Sequence, residues 1–153
     1  MTPQQYATSA GSARPDVTAA LIAKTGLDDE ILHRLVHEFY DRVRDDALLA
    51  PVFAAHIADW PPHLERMVSF WSSVALMTGR YHGAPIPKHL PLPVGQAHFE
   101  RWLALFRATA RQVCPETGAD WVIERAERIA GSIRQNMDDA RSGHGLTDRP
   151  PRL

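Results

Sequence analysis

The chain has 153 residues, of which 44% are hydrophobic and 23% charged, so one domain with a sizeable core is expected. Its formal net charge of -1 argues against recruitment of nucleic acid or an anionic membrane by a global field. A single cysteine, Cys114, excludes an intrachain disulfide framework, and no apolar run approaches the ~20 residues of a bilayer span. The amino terminus lacks the charge and apolar pattern of a signal peptide, so we expect a cytoplasmic protein.

Apolar side chains recur with a period near 3.6 residues, which predicts an all-α protein with four substantial helices. The two ends of the chain lack this periodicity. We therefore expect a disordered arm over residues 1–15, a folded domain over residues 16–144 and a flexible tail over residues 145–153. Residues 16–24 are predicted to form a short helix at the start of the domain.

The first long helix has the clearest pattern. Thr25 and Asp28 match a capping box, which predicts that Thr25 caps the helix and that Asp28 reaches back to it. The helix is expected to end near Asp45. Its apolar stripe consists of Leu32, Leu35, Val36, Phe39 and Val43. The next piece, residues 48–53, is predicted to be a turn because Pro51 interrupts it.

Two more long helices are bounded by Pro and Gly residues. Pro61 fits the first turn of the second helix, with Asp59 as its cap and Gly79 as its end. The third helix is predicted to begin after Gly95 and to stop at Pro115.

The last helix is predicted from a second capping box. Thr117 is the expected cap, Asp120 is its partner, and the helix reaches its limit near His144. Its apolar stripe consists of Val122, Ala126, Ile129, Ala130, Ile133 and Met137.

Residues 84–93 hold a single imidazole, His89, among Pro residues that forbid a long helix. Such a segment is better suited to positioning His89 than to building a core. The stretch from Arg66 to Phe99, which includes it, contains no Asp or Glu. The absence of acids is either a matter of chance in a buried region or the sign of a local cationic site for an anionic ligand.

Four side chains could together form a site: Tyr40, His63, His89 and Trp102. Taken singly, each is more readily explained as a core residue. Taken together, His89 could bind a metal from one side while the other three converge on the opposite side. We expect no metal site of the Cys-pair, His-x3-His or His-Glu-x-x-His type, so a bare zinc ion fits less well. The chain has no Gly-rich phosphate loop and no nucleophile elbow. An iron porphyrin fits these residues, since it needs an axial His, an apolar slot and cations for two propionates.

Several motifs share an order and spacing with a known family. They are Phe39-Tyr40-Asp-Arg-Val-Arg, Pro51-Val-Phe53, His63 followed by Phe70-Trp71, Lys88-His89-Leu-Pro-Leu-Pro, Phe99-Glu-Arg-Trp102-Leu-Ala-Leu-Phe106 and Arg125-Ala-Glu-Arg-Ile-Ala. Over residues 31–137 the chain resembles the truncated haemoglobins of the third group.

This resemblance implies a globin-like two-over-two helical sandwich enclosing haem b. It implies that His89 is the iron ligand and that Tyr40, His63 and Trp102 lie on the distal side. The residues it places at the cofactor are Phe53, His63, Arg66, Met67, Phe70, Trp71, Lys88, His89 and Trp102. The implied ligands are dioxygen, nitric oxide, carbon monoxide and cyanide.

Three functions remain open at this stage. Donors from Tyr40 and Trp102 would hold a bound diatomic ligand tightly, which favours ligand chemistry or sensing over bulk oxygen transport. Alternatively, the protein is a redox enzyme, a nitric-oxide dioxygenase or a peroxidase-like enzyme, supplied by a separate reductase. Because the stretch around His89 lacks acids, we expect that ring to donate to a backbone carbonyl rather than to a carboxylate. The third alternative is a metal-free helical interaction module.

The remaining histidines and the cysteine are assigned no role. Those histidines, expected at the surface or at its boundary, are His33, His37, His56 and His98. Cys114, at a helix end, is expected to be an idle thiol.

Overall fold

The computed structural model describes residues 14–83 and 93–142. This part of the chain forms six helices and no strand, which confirms the predicted all-α class. The helices are α1 (Pro15–Thr25), α2 (Asp29–Asp45), α3 (Ala50–His56), α4 (Trp60–Leu76), α5 (Gln96–Val113) and α6 (Glu116–Ser142). The predicted arm and tail fall almost wholly outside the described residues, as do Lys88, His89 and His144.

The cap of α2 is Asp28, and the prediction that Thr25 caps it is wrong. The Asp28 carboxylate accepts a hydrogen bond from the Ile31 amide at 2.8 Å. Thr25 is instead the last residue of α1, and its hydroxyl donates to the Leu21 carbonyl. The next residue, Gly26, has a left-handed φ of 74°, and this conformation ends α1 before α2 begins.

Of the turn predicted over residues 48–53, only Leu48 and Leu49 lie in a turn, because α3 begins at Ala50. Pro51 lies in the first turn of this helix, where a missing amide hydrogen breaks no helical bond. Just before the helix, a carboxylate oxygen of Asp46 accepts hydrogen bonds from the amides of Leu48 and Leu49. A proline read as an interruption therefore marks a helix start.

The carboxyl-terminal end of α4 differs from the prediction, while its start agrees. The helix stops at Leu76 rather than Gly79, because Met77 adopts a left-handed φ of 58° and ends the helical hydrogen bonding. Asp59 stands at the cap position, but its side chain makes no capping bond. The proline in the first turn is as predicted.

The bounds of α5 agree with the prediction, since it begins after Gly95 and ends before Pro115. The start of α6 does not agree. This helix begins at Glu116, so Thr117 lies inside its first turn and is not the cap.

The core is built around α2, which packs against α3, α4 and α5, while α6 covers α5, α4 and α1. All five residues of the predicted α2 stripe are buried. At the centre, the Phe106 ring stacks on Trp71 with centroids 4.9 Å apart, and Phe39 meets Phe106 edge to face at 5.3 Å. None of the described helices is long and apolar enough to cross a bilayer.

Candidate ligand-binding cavity

A cavity of about 570 Å³ opens on one side of this core, and five helices contribute to its wall. All eight predicted site residues that lie in the described part of the chain line it: Tyr40, Phe53, His63, Arg66, Met67, Phe70, Trp71 and Trp102. Lys88 and His89 lie outside the described residues. The structure therefore brings together around one cavity all the predicted site residues that it describes.

Aromatic rings build one wall of the cavity by packing edge to face. Phe70 contacts Trp71 at a centroid distance of 5.5 Å and Tyr81 at 5.1 Å, both at an interplanar angle of 87°. Behind them, Trp71 stacks on the core ring of Phe106. Because each ring is held by the next, the wall is a rigid apolar surface suited to a flat ligand.

The plane of Trp102 is fixed from two sides. Its indole lies parallel to the Phe106 ring, with centroids 5.4 Å apart and an interplanar angle of 8°. The edge-to-face contact with Phe39 has a centroid distance of 5.1 Å. Trp102 is only half-buried and lines the cavity, so its indole is held in place at the cavity wall. An indole nitrogen can only donate a hydrogen bond.

Three rings meet where α2 faces the start of α4. The centroid of the Tyr40 ring lies 5.2 Å from that of His63 and 5.8 Å from that of Trp60. The centroids of Trp60 and His63 are 5.5 Å apart, and their ring planes are perpendicular at 90°. Tyr40 is 6% exposed, and burial raises the pKa of its phenol above the ordinary value. The hydroxyl therefore keeps its proton at neutral pH and can serve as a hydrogen-bond donor.

The charged groups of the cavity lie at its exposed edge. Arg66, Asp59 and His56 are all exposed and all belong to the wall. Arg66 follows His63 by three residues on α4, which places the two side chains on neighbouring positions of one helix face. A cation at this position can meet an anionic group of a ligand whose apolar part is inside.

Several cavity residues were not predicted as a site. His98, to which no role was assigned, lines the cavity, and its Nδ1 accepts a hydrogen bond from the Gly95 amide at 3.1 Å. In the neutral ring the proton is therefore on Nε2. The signal in the sequence was the Gly-x-x-His spacing at a helix start. On α6, Ile129, Ala130 and Ile133 were predicted as an apolar stripe, but only the packing shows that this stripe reaches the cavity.

Comparison with known proteins gives consistent matches. A family model described as bacterial-like globin matches residues 21–136. The chain is 35% identical over 123 residues to the group 3 truncated hemoglobin ctb of Campylobacter jejuni, covering 77% of this chain and 96% of the relative. It is 25% identical over 83 residues to the group 2 truncated hemoglobin YjbI of Bacillus subtilis, covering 53% and 63% respectively.

A solved structure matches as well. The crystal structure of the group III truncated hemoglobin from Campylobacter jejuni superposes with a TM-score of 0.68 at 32% sequence identity. The superposition covers 72% of this chain and 91% of that one. The helical arrangement described above is thus similar to that of a solved truncated haemoglobin.

Proposed function

Because this chain belongs to the bacterial-like globins, as a truncated haemoglobin of the third group, we propose that its cavity holds haem b and presents Tyr40, His63 and Trp102 to a diatomic ligand. Membership of this family implies that the protein binds haem and small diatomic ligands. The observation that supports the finer proposal is the convergence of these three side chains on one apolar cavity.

The residues present fit a haem. The cavity volume of about 570 Å³ lies within the roughly 300–1,000 Å³ of ligand pockets, and its walls are mainly apolar and aromatic. Phe53 and Phe70 offer ring surfaces to the macrocycle, while Arg66 at the exposed edge suits a propionate. Lys88 is the second candidate cation, and His89 is proposed as the iron ligand on the resemblance of its motif. When bound, the haem supplies an iron that coordinates dioxygen, nitric oxide, carbon monoxide or cyanide.

Tyr40 is proposed to be the main donor to the ligand. Its phenol is buried and stays protonated, so it can donate without changing its charge. A hydrogen bond to a partner that carries charge contributes about 1.5–3 kcal/mol, which is roughly tenfold to a hundredfold in affinity. A second donor from Trp102 would add to this effect.

Two such donors make ligand release slow, and slow release suits ligand chemistry or sensing better than bulk oxygen transport. The contacts of Trp102 with Phe106 and Phe39 support this proposal, because they hold the indole in one orientation before a ligand arrives.

The proposal is tested by titrating the purified protein with haemin. We expect saturation at one haemin per chain, a Soret band, and a shift of that band on addition of carbon monoxide to the reduced form. His89→Ala should change the spectrum of the ligand-free form, because the proposed axial imidazole is removed. His82→Ala, an exposed histidine near the same segment, is the matched control. If the protein takes up no haemin, the proposal is wrong and the metal-free interaction module becomes the better explanation of the fold.

A redox role is the second proposal for the same cavity, and the contact between His63 and Tyr40 favours it. The Nε2 atom of His63 is shielded from solvent, and an imidazole beside a neutral phenol can accept and return a proton. Nitric-oxide dioxygenase or peroxidase-like activity would need electrons from a separate reductase. The proposal is tested by mixing the oxygenated form with nitric oxide and measuring the rate of nitrate formation. A rate no higher than that of free haem would exclude the dioxygenase.

A further inference from the structure

We propose that His33 and His37, on the outer side of α2, form a binding site for a divalent transition-metal ion. The two residues have the spacing His-x-x-x-His inside a helix, which places them one turn apart on the same face. This pair replaces the expectation that the chain has no metal site of the His-x3-His type. Neither belongs to the wall of the cavity, so this site is separate from the proposed haem site.

The first support is the distance between the two rings. The imidazoles are stacked, with centroids 3.9 Å apart and an interplanar angle of 19°. An imidazole nitrogen lies about 2.0–2.1 Å from a bound zinc ion, so two nitrogens of one tetrahedral site lie roughly 3.3 Å apart. The two rings are neighbours, so rotation of the side chains can bring one nitrogen of each ring to a shared ion.

The second support is a hydrogen bond that orients one ligand. The Nδ1 atom of His37 lies 2.9 Å from the backbone carbonyl oxygen of His33. A carbonyl can only accept, so Nδ1 carries the proton and the lone pair of the neutral ring is on Nε2. Metal-binding histidines characteristically donate their other ring N–H to a carbonyl or carboxylate in this way, which fixes both tautomer and orientation.

The third support is access and charge. His33 is exposed and His37 is half-buried, so an ion can reach both from solvent. Glu30 and Asp41, one turn before and one turn after the pair, are exposed acids on the same side of α2. The cation next to the pair, Arg34, forms an ion pair with Glu38 at 3.4 Å, which offsets its repulsion of a metal ion.

The number of ligands defines the chemistry of the site. Among residues 14–83 and 93–142, no group of three or more His, Cys, Asp or Glu side chains gathers in a form that could hold an ion. The pair thus supplies two nitrogens, and water fills the other positions. Imidazole ligands favour copper, nickel and zinc over magnesium and calcium, and among the divalent ions copper binds tightest.

The experiment is calorimetric titration of the purified full chain, as isolated, with Cu²⁺, Zn²⁺, Ni²⁺ and Mg²⁺ chlorides, one at a time. We expect one saturable site per chain, tightest for Cu²⁺ and undetectable for Mg²⁺. His33→Gln and His37→Gln should each weaken Cu²⁺ binding by about tenfold or more, because either change removes the chelate. Both positions are on the solvent side, so the variants should keep the helical circular dichroism of the parent.

His82→Gln is the control. His82 is an exposed histidine that does not belong to the cavity wall and has no histidine four residues away in the sequence. Cu²⁺ affinity should be unchanged in this variant. Equal Cu²⁺ binding by His33→Gln and the parent, or the absence of a saturable site in the parent, would overturn the proposal. These outcomes do not depend on where the haem binds, so they are distinct from a failure of the proposed function.

Discussion

The imidazole of His63 meets the ring of Tyr40 edge to face, with centroids 5.2 Å apart and an interplanar angle of 82°. The two residues come from α4 and α2, so this contact joins the helices at the wall of the cavity. Edge-to-face pairs contribute about 0.5–1.5 kcal/mol beyond the burial of their area. The orientation of the Tyr40 ring therefore depends on that of the His63 ring.

Tyr40→Phe should speed dioxygen release about tenfold to a hundredfold, because it removes the phenolic donor. The ring, with its contacts to Phe39, Phe53 and His63, remains in place, so the fold should be kept. Stopped-flow displacement of dioxygen by carbon monoxide measures the rate. Tyr6→Phe, a phenol outside residues 21–136, is the control and should behave as the parent. An unchanged rate in Tyr40→Phe would rule out this hydroxyl as the donor.

Trp102→Phe should also speed dioxygen release, because the replacement ring keeps much of the stacking on Phe106 but has no N–H. Trp121→Phe is the control, since Trp121 is not part of the cavity wall and its indole donates to the Ala75 carbonyl at 2.9 Å. The control should lose stability while its release rate stays that of the parent. The same rate in Trp102→Phe and the parent would leave Tyr40 as the dominant donor.

Asp28→Ala should lower the free energy of unfolding by about 0.5–2 kcal/mol, because the carboxylate caps α2. Asp59→Ala is the matched comparison at α4, where the aspartate makes no capping bond. Asp59→Ala should therefore lower the free energy of unfolding by less than Asp28→Ala. Urea unfolding followed by far-ultraviolet circular dichroism measures both variants, and an equal cost would mean that the cap is not the origin of the effect.

The pH dependence of stability should include a contribution from Cys114. Burial raises the pKa of this thiol from its ordinary 9.0 to about 11, against a smaller lowering by Arg34. Between these values the unfolded chain loses the proton while the folded chain retains it, so stability falls as pH rises from about 9 to 11. Cys114→Ala should show a shallower fall in the free energy of unfolding over this range. Parallel curves for the two proteins would contradict the assignment.

Much of the fold was predictable because it depends on local sequence. The α2 stripe around Phe39, the start of α5 after Gly95 and its end before Pro115 all follow from periodicity and backbone restrictions. One error lies where two local signals compete. Thr25 and Asp28 are both good caps, and the left-handed Gly26 decides between them.

The candidate site was predictable only as a set of residues. Motif order selected Tyr40, Phe53, His63 and Trp102, and the packing of five helices brings them to one cavity. The roles assigned to them, and to His89 outside the described residues, stay predictions. His98 was missed because its position at the cavity depends on how the start of α5 is placed against the other helices.

By itself, the sequence determined the helical class, some of the helix bounds and the residues that could carry the chemistry, because these depend on neighbours within a few positions along the chain. Only the tertiary structure decided which faces enclose the cavity and how the rings of Tyr40 and His63 meet. Those relations depend on the packing of side chains between helices and on the rotamers that this packing allows, and periodicity along a single helix does not contain them.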